Sequence, residues 1–165
     1  MSSITKSSPS RTSVAFDPAW KTILECAAIE VFEMMAGVRP ELNSASTGAP
    51  TGEQTAMVGM AGALCGMTTL RCAKETSARF AALMLGESAA SDHSSSGDAL
   101  GELCNMVAGN FKSKISTLAD HCMLSVPTVI TGADYSMETS EPTEVLLVPL
   151  LFEGQPVWVS LVIHT

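Results

Sequence analysis

The sequence predicts a single α+β domain, in which an antiparallel sheet packs against long helices. The chain has 165 residues, 46% of them apolar and 16% charged, so it can bury one core and is not generally disordered. Strand-like segments are grouped rather than alternating strictly with helices, and the last two are joined by a short turn. We expect residues 1–16, rich in Ser and Thr, to be a disordered tail and residues 17–165 to form the domain.

The first helix begins where Asp17 and Pro18 stand together. Asp accepts hydrogen bonds from the free N–H groups at a helix start, and Pro suits the first helical position. The helical pattern continues to about Met35, and Gly37 and Pro40 then predict its end.

Two strands and a second helix follow a loop. Residues 43–53 are small, polar and turn-forming, and predict the loop. Residues 55–72 are small and apolar with interspersed glycines, which indicates two strands with a turn near residues 62–66. Residues 74–85 have a helical pattern, and Gly86 stands where glycine commonly ends a helix.

A long central helix is predicted after a polar loop at residues 87–95. Ser95 and Asp98 have the spacing of a capping box, and the helical pattern continues to about Asp120. The strand-like segments that follow lie at residues 123–130, 144–152 and 156–163, with a hairpin loop at residues 153–155.

The two long helices are similar in sequence. Residues 26–37 align with residues 98–109 at an offset of 72 residues, and each helix precedes strand-like sequence. The identical pairs are Ala27/Ala99, Glu30/Glu102, Met34/Met106, Ala36/Ala108 and Gly37/Gly109. We interpret the similarity as a duplication that produces two pseudo-equivalent helix-plus-strands halves. The alternative is chance agreement between two amphipathic helices.

The central helix carries a polar stripe that is a candidate site. At about 100° per residue, Asp98, Glu102, Asn105, Gly109 and Lys112 share one side of the helix. The opposite side is apolar and comprises Leu100, Leu103, Cys104, Val107, Ala108, Phe111, Ile115 and Leu118. Gly109 removes bulk beside Asn105, which lets another surface come close, whereas Lys112 is expected to be solvated. The alternative interpretation is an ordinary solvated helix face.

A carboxylate and a carboxamide on one helix face support a limited chemistry. Glu can pair with a cation, and Asn can orient a water through its donor and acceptor, although it is a poor general base. The pair suits hydrolysis of an activated electrophile such as an acyl phosphate, where geometry and electrostatics supply most of the catalysis. The first helix has Cys26, Glu30, Glu33 and Gly37 at the matching positions, so Glu33 stands in the place of Asn105.

Charge and composition exclude several classes of protein. The net charge is −8 and the basic residues are scattered, so we expect no nucleic-acid partner. No apolar run approaches the roughly 20 residues of a membrane-spanning helix, and no secretory signal is visible, so we expect a cytoplasmic protein without a membrane partner. The five cysteines, including Cys26 and Cys104 at or beside helical apolar positions, indicate buried reduced thiols, and the spacing of the histidines indicates no metal site.

The segments GDALGELCNMVAGNFKSKI (97–115) and LSVPTVITG (124–132) resemble the CheC/CheX family of chemotaxis phosphatases. The family pattern is an Asp or Ser, a Glu and an Asn at helical spacing with a Pro downstream, which corresponds here to Asp98, Glu102, Asn105 and Pro127. The segments AAIEVFEMMAG and ARFAALMLG are also similar to the family. The resemblance implies a CheC-like fold, with Pro127 shaping the turn into the following strand.

The resemblance also implies a function. Members of this family hydrolyse the aspartyl phosphate of a phosphorylated CheY-like response regulator. Asn105 is expected to orient the attacking water, and Glu102 to hold a lysine of the regulator by a salt bridge. The Mg²⁺ ion is expected in the partner regulator, with no cofactor bound by this chain.

Glu33 makes the chain similar to the CheX type, which has one site per subunit and forms homodimers through β-structure. The apolar strand at residues 157–163 is our candidate for the free edge of that dimer. Asp98 and Gly109 join Glu102 as candidate partner-binding residues, although Asp98 can equally be only a helix cap. Alternative functions are a non-catalytic docking module for a regulator or the flagellar switch, and, less well supported, a small-molecule sensor.

Overall fold

The computed structural model describes residues 15–86, 93–138 and 143–164, and these residues form an α+β fold with one antiparallel sheet. The helices are α1 Trp20–Ala36, α2 Lys74–Leu85, α3 His93–Ser113 and the short α4 Ser116–Ala119. The strands are β1 Glu41–Leu42, β2 Gln54–Gly62, β3 Gly66–Cys72, β4 Cys122–Leu124, β5 Thr128–Thr131, β6 Thr143–Phe152 and β7 Gln155–His164. The predicted fold class is confirmed.

The sheet has the pseudo-symmetry that two duplicated halves predict. Its order is β1-β6-β7-β3-β2-β4, and β5 pairs with the other end of β2. The β2-β3 hairpin of the first half corresponds to the β6-β7 hairpin of the second. The outer strand of each half, β1 or β4, pairs with the hairpin of the other half. The helix α2 is an additional element of the first half.

One face of the sheet packs against the helices. Every second side chain of β7, from Val157 to Ile163, is buried in the same core as the inner faces of α1 and α3. The rings of Phe32, Phe80 and Phe152 join α1, α2 and β6, with centroids between 4.7 and 5.8 Å apart. This burial of aromatic and aliphatic surface holds the two long helices side by side on the sheet.

The chain after β5 crosses the opposite face of the sheet. The Tyr135 hydroxyl forms a hydrogen bond with the Thr55 hydroxyl, and the Arg71 guanidinium lies 4.8 Å from the centroid of the Tyr135 ring. Arg71 also donates to the carbonyl oxygens of Gly52 at 2.9 Å and Ala133 at 3.3 Å. This segment therefore covers part of the face that lacks helices.

The first two helices lie close to their predicted positions. Before α1, the Asp17 carboxylate accepts a hydrogen bond from the Ala19 N–H at 2.8 Å, and Gly37 ends α1 with a φ of 71°. The helix α2 has its predicted span, and Gly86 follows it with a φ of 104°. Glycine suits both ends because other residues rarely adopt these positive φ values.

The central helix starts earlier than predicted. It begins at His93, so Ser95 and Asp98 lie inside α3 and the predicted capping box is wrong. Asp98 is exposed and beyond the first turn, so its interpretation as a helix cap is also wrong. The first residues of α3 are polar, so no apolar periodicity indicates where the helix begins. The remainder of the predicted loop, residues 87–92, lies outside the described residues.

The central helix also ends earlier than the predicted Asp120. It stops at Ser113 because Ile115 is extended, with φ −117° and ψ 107°, and α4 then makes one separate turn. Leu118 in α4 is fully buried, so the break redirects an apolar side chain into the core. Periodicity alone does not distinguish one long helix from two segments that bury the same side chain.

The strand predicted at residues 123–130 is two strands, β4 and β5. Pro127 lies between them, and it has no N–H to donate to a ladder. Ser125 connects the break to β2, because its N–H donates to the Gly59 carbonyl at 2.9 Å and its hydroxyl accepts from the Gly59 N–H at 2.8 Å.

The last hairpin is tighter than predicted. Phe152 and Gln155 are paired, so the loop contains only Glu153 and Gly154, whose φ angles are 49° and 78°. Positive φ at both positions is typical of a type I′ turn, which matches the twist of the flanking strands.

The strand at residues 157–163 is not an edge, so that prediction is wrong. It belongs to β7, which lies between β6 and β3 and is buried on both faces, and this explains its apolar composition. Among the described residues, β6 pairs with β7 along its length but with β1 only at Leu150 and Leu151. Within the part of the chain that the structure describes, residues 143–148 of β6 therefore present a free edge.

Most of the predicted tail, residues 1–14, lies outside the described residues. Phe16 is half-buried, and its ring centroid lies 6.3 Å from that of Trp20 on α1. The disordered tail remains a prediction, and a truncation that tests it should retain Phe16.

Candidate functional site

The polar stripe predicted on the central helix is present on α3. Asp98 and Glu102 are exposed, and Asn105 and Gly109 are half-buried. The side chains on the opposite face have no solvent exposure, and they are Leu100, Leu103, Cys104, Val107, Ala108 and Phe111. Because its back is held in the core, α3 displays Glu102 and Asn105 on one rigid surface.

Asn105 lies between two glycines, each about one helical turn away. A Cβ on the buried Gly101 would lie 3.3 Å from the Cβ of Pro127, so glycine lets the chain before β5 pack closely on α3. A Cβ on Gly109 would meet Leu124 at 3.9 Å, which is an ordinary contact. A side chain at position 101 would therefore press on Pro127, whereas Gly109 keeps the surface beside Asn105 low.

A groove of about 470 Å³ runs between α1 and α3 beside Asn105. Its lining combines apolar and polar side chains: Val31, Met34, Met106 and Leu124, with Glu30, Asn105, Asn110 and Ser113. Met34 is 66% exposed, which is unusual for so large an apolar side chain. Gly109 also lines the groove, whereas Asp98 and Glu102 lie on the adjoining exposed surface of α3.

The matching stripe on α1 is already paired within the chain. The Glu30 carboxylate accepts hydrogen bonds from Asn110 Nδ2 at 2.9 Å and from Lys114 Nζ, which lies 2.8 Å from its nearer oxygen. The pKa of Glu30 is lowered, chiefly by the hydrogen bond from Lys114 and then by that from Asn110. Glu33, which stands where α3 has its Asn, forms an exposed salt bridge with Arg39 at 2.8 Å.

The sequence did not indicate these roles for Asn110 and Lys114. Both lie off the polar stripe, and Asn110 is separated from Glu30 by 80 residues along the chain. Lys112, which was predicted to be solvated, is half-buried and donates to the carbonyl oxygens of Ala119 at 3.0 Å and Cys122 at 2.7 Å. That prediction is wrong, because the chain after α3 turns back and places two carbonyl groups around the ammonium.

The cysteines are free, and the buried ones are poor nucleophiles. Burial raises the pKa of Cys72 and of Cys104 to about 12, and it also raises the pKa of Cys122. A neutral thiol does not attack an electrophile. Cys26 is exposed, so its predicted burial is wrong: its position lies on the solvent side of α1.

The described segments contain neither a metal-ion site of clustered side chains nor a membrane-spanning helix. No group of three or more His, Cys, Asp or Glu side chains in residues 15–86, 93–138 and 143–164 is arranged to hold a metal ion. No helix within the same residues is long and apolar enough to cross a bilayer.

The fold places the chain in the class of CheC-like α+β domains. CheX from Vibrio vulnificus is similar over 92% of this chain and 100% of its own, with a TM-score of 0.75 and 18% identity. CheX from Desulfovibrio desulfuricans has a TM-score of 0.74 and 22% identity over 88% and 99% of the two chains. CheX of Borrelia burgdorferi, in a complex with CheY, BeF₃ and Mg²⁺, has a TM-score of 0.69 and 23% identity over 88% and 98%.

The family itself is shown by sequence. The model of the chemotaxis phosphatase CheX family matches residues 54–151, which include the whole of α3 and Pro127, and the chain belongs to this family. None of the curated proteins matches the sequence.

Proposed function

We propose that this chain is a phosphatase that hydrolyses the aspartyl phosphate of a CheY-like response regulator in chemotaxis or related two-component signalling. The observation that carries the proposal is the joint display of Glu102 and Asn105 on the outer face of α3, whose back is fully buried. Membership of the CheX family supports the same reaction. A buried back matters because a positioning catalyst must hold its groups in a fixed geometry.

The proposed chemistry uses Asn105 to orient a water. Its side-chain carbonyl accepts from the water, whose oxygen attacks phosphorus as the bond to the regulator's aspartate breaks. The products are inorganic phosphate and the free aspartate. An acyl phosphate already has a good leaving group, so geometry and charge stabilisation suffice without a strong base. The regulator would supply the Mg²⁺ ion, and this chain would bind no cofactor.

Glu102 is proposed as the anchor for a lysine of the regulator. It is exposed on α3 about one turn before Asn105, so a cation can reach it while the phosphate approaches the amide. Asp98, a further turn away and also exposed, extends the acidic surface, and the low surface at Gly109 admits the partner beside Asn105. Complementary charge favours rapid and specific encounter.

We also propose that the protein forms a homodimer through the free edge of β6. Residues 143–148 are mostly apolar, and on their outer side they have no partner strand among the described residues. An unpaired apolar edge readily pairs with another strand. A second copy related by a two-fold axis would place the two β6 strands antiparallel and leave both α3 surfaces open.

The experiment that tests the phosphatase is the decay of a phosphorylated CheY-like regulator with Asn105→Ala. We expect the folded variant to lose about 100-fold or more of the acceleration, because the water is no longer oriented. Glu33→Ala on α1 is the matched control and should accelerate decay like the wild type. Wild-type acceleration by Asn105→Ala would contradict the mechanism, whereas a wild type that does not accelerate decay would favour the docking module.

A further inference from the structure

The carboxylate of Glu30 joins the two long helices. It projects from α1 and binds Asn110 Nδ2 at 2.9 Å on α3 and Lys114 Nζ at 2.8 Å just beyond the end of α3. Asn110 also lies 3.4 Å from the carbonyl oxygen of Ala27 on α1. These contacts form a small polar network across the interface of the two helices.

The network borders the groove that contains Asn105. Both Glu30 and Asn110 line that groove, and Glu30 is exposed. On the buried side the helices are already held together, for example by the rings of Trp20 and Phe111 with centroids 6.2 Å apart. The polar network therefore adds a second link between the two helices, at the side that borders the groove.

We infer that Glu30 is a positioning residue, which holds α1 against α3 and keeps the groove beside Asn105 at the width that receives the regulator. The inference rests on the proposed function. The inference explains the polar stripe on α1 without a second catalytic site. Glu30 is the equivalent of Glu102, but its carboxylate binds residues of its own chain instead of a partner.

The expected effect is on binding rather than on the chemical step. Asn105 is held by the buried back of α3, which includes Cys104 and Val107, whereas the hydrogen bonds of Glu30 go to Asn110 and Lys114. Loss of the network would change the width of the groove and raise KM for the phosphorylated regulator. The value of kcat would stay near that of the wild type. Because both partners are partly exposed, we expect a change of about two- to fivefold.

The test compares Glu30→Ala, Lys114→Met and the double variant in the decay of a phosphorylated CheY-like regulator, with KM and kcat determined separately. If the network acts as a unit, each single variant raises KM by a similar factor and the double variant is no worse. The control is Glu33→Ala, which removes an exposed ion pair on α1 that does not involve α3.

The outcomes separate this inference from the phosphatase proposal. A KM effect in Glu30→Ala but not in Lys114→Met would overturn the inference, because the network would then not act as a unit in binding. Wild-type KM in both single variants would overturn it while leaving the phosphatase intact. If the wild type itself does not accelerate decay, both proposals fall.

Discussion

Asn105 and Glu102 lie about one turn apart on α3, and their different surroundings fit the different tasks proposed for them. Asn105 is half-buried at the groove, whereas Glu102 is exposed. A group at a recessed position can order a water, and an exposed carboxylate can reach a partner's cation but is screened by salt. The two exposures therefore fit the catalytic role proposed for Asn105 and the anchoring role proposed for Glu102.

The anchoring role predicts the effect of Glu102→Ala. We expect KM for the phosphorylated regulator to rise about two- to fivefold at low salt, with kcat nearly unchanged, because the lost contact is an exposed ion pair. The difference from the wild type should shrink at high salt. The control is Glu41→Ala, at an exposed position in β1. A fall in kcat with constant KM would instead assign Glu102 to the chemical step.

The thiols offer a second prediction at the residue scale. The pKa of Cys72 and of Cys104 is raised to about 12 by burial, so almost no thiolate is present at pH 8. We expect iodoacetamide to modify the exposed Cys26 rapidly in the native protein and to spare these two until the protein is denatured. Mass spectrometry of the labelled peptides gives the measurement. Rapid labelling of Cys104 would show that α3 does not remain packed on the sheet.

At the scale of elements, the N-terminus of α2 is capped by a residue that is distant from it in the sequence. Ala73 precedes it and offers no side-chain cap, but the Glu53 carboxylate accepts a hydrogen bond from the Lys74 N–H at 3.0 Å. This backbone hydrogen bond is the largest cause of the lowered pKa of Glu53. A carboxylate at a helix N-terminus also interacts favourably with the helix dipole.

This cap predicts a pH-dependent contribution to stability. Because the folded pKa lies below the ordinary value of 4.5, the contribution is present above pH 4.5 and is lost as the pH falls through the folded pKa. Glu53→Gln should lower Tm by a few degrees at most at pH 7, and the difference from the wild type should vanish toward pH 3. Thermal unfolding followed by circular dichroism measures both. A difference that persists at low pH would contradict the role of the charge.

At the scale of the whole molecule, the sheet has a protected centre, and part of one edge is open within the described chain. The central strands β3 and β7 pair on both sides, whereas the outer side of residues 143–148 in β6 is free within the described chain. The helices and their candidate site lie on one face, so association through this edge would not obstruct Asn105. The proposed dimer and the proposed site are thus compatible.

The free edge predicts the result of a charge substitution. Val145 is 56% exposed, so Val145→Lys should leave the fold intact but place like charges at the edge and shift the wild-type dimer to a monomer. Sedimentation at micromolar concentration provides the measurement. Met123→Lys, at the exposed strand β4 near the opposite edge, is the control and should remain dimeric. A monomeric wild type would contradict the dimer, and dissociation only of Met123→Lys would place it at β4.

The sequence alone determined those features that depend on neighbouring residues. The spans of α1, α2 and the β2-β3 hairpin are confirmed, because apolar period, Gly and Pro act over a few residues. The face of α3 that carries Glu102 and Asn105 was also predictable, since helical geometry places residues three or four apart on one side. The family pattern then indicated which polar face to consider.

The tertiary structure decided those features that depend on distant partners. An apolar, β-branched strand predicts burial but not whether its neighbours lie on one side or both, so the central position of β7 and the free edge of β6 were not predictable. Similarly, the break after Ser113 and the pairing of Glu30 with Lys114 require chain segments to meet in space. The local sequence pattern determines which face of a helix or strand is apolar. Packing and hydrogen bonding between distant segments determine which residues each face contacts.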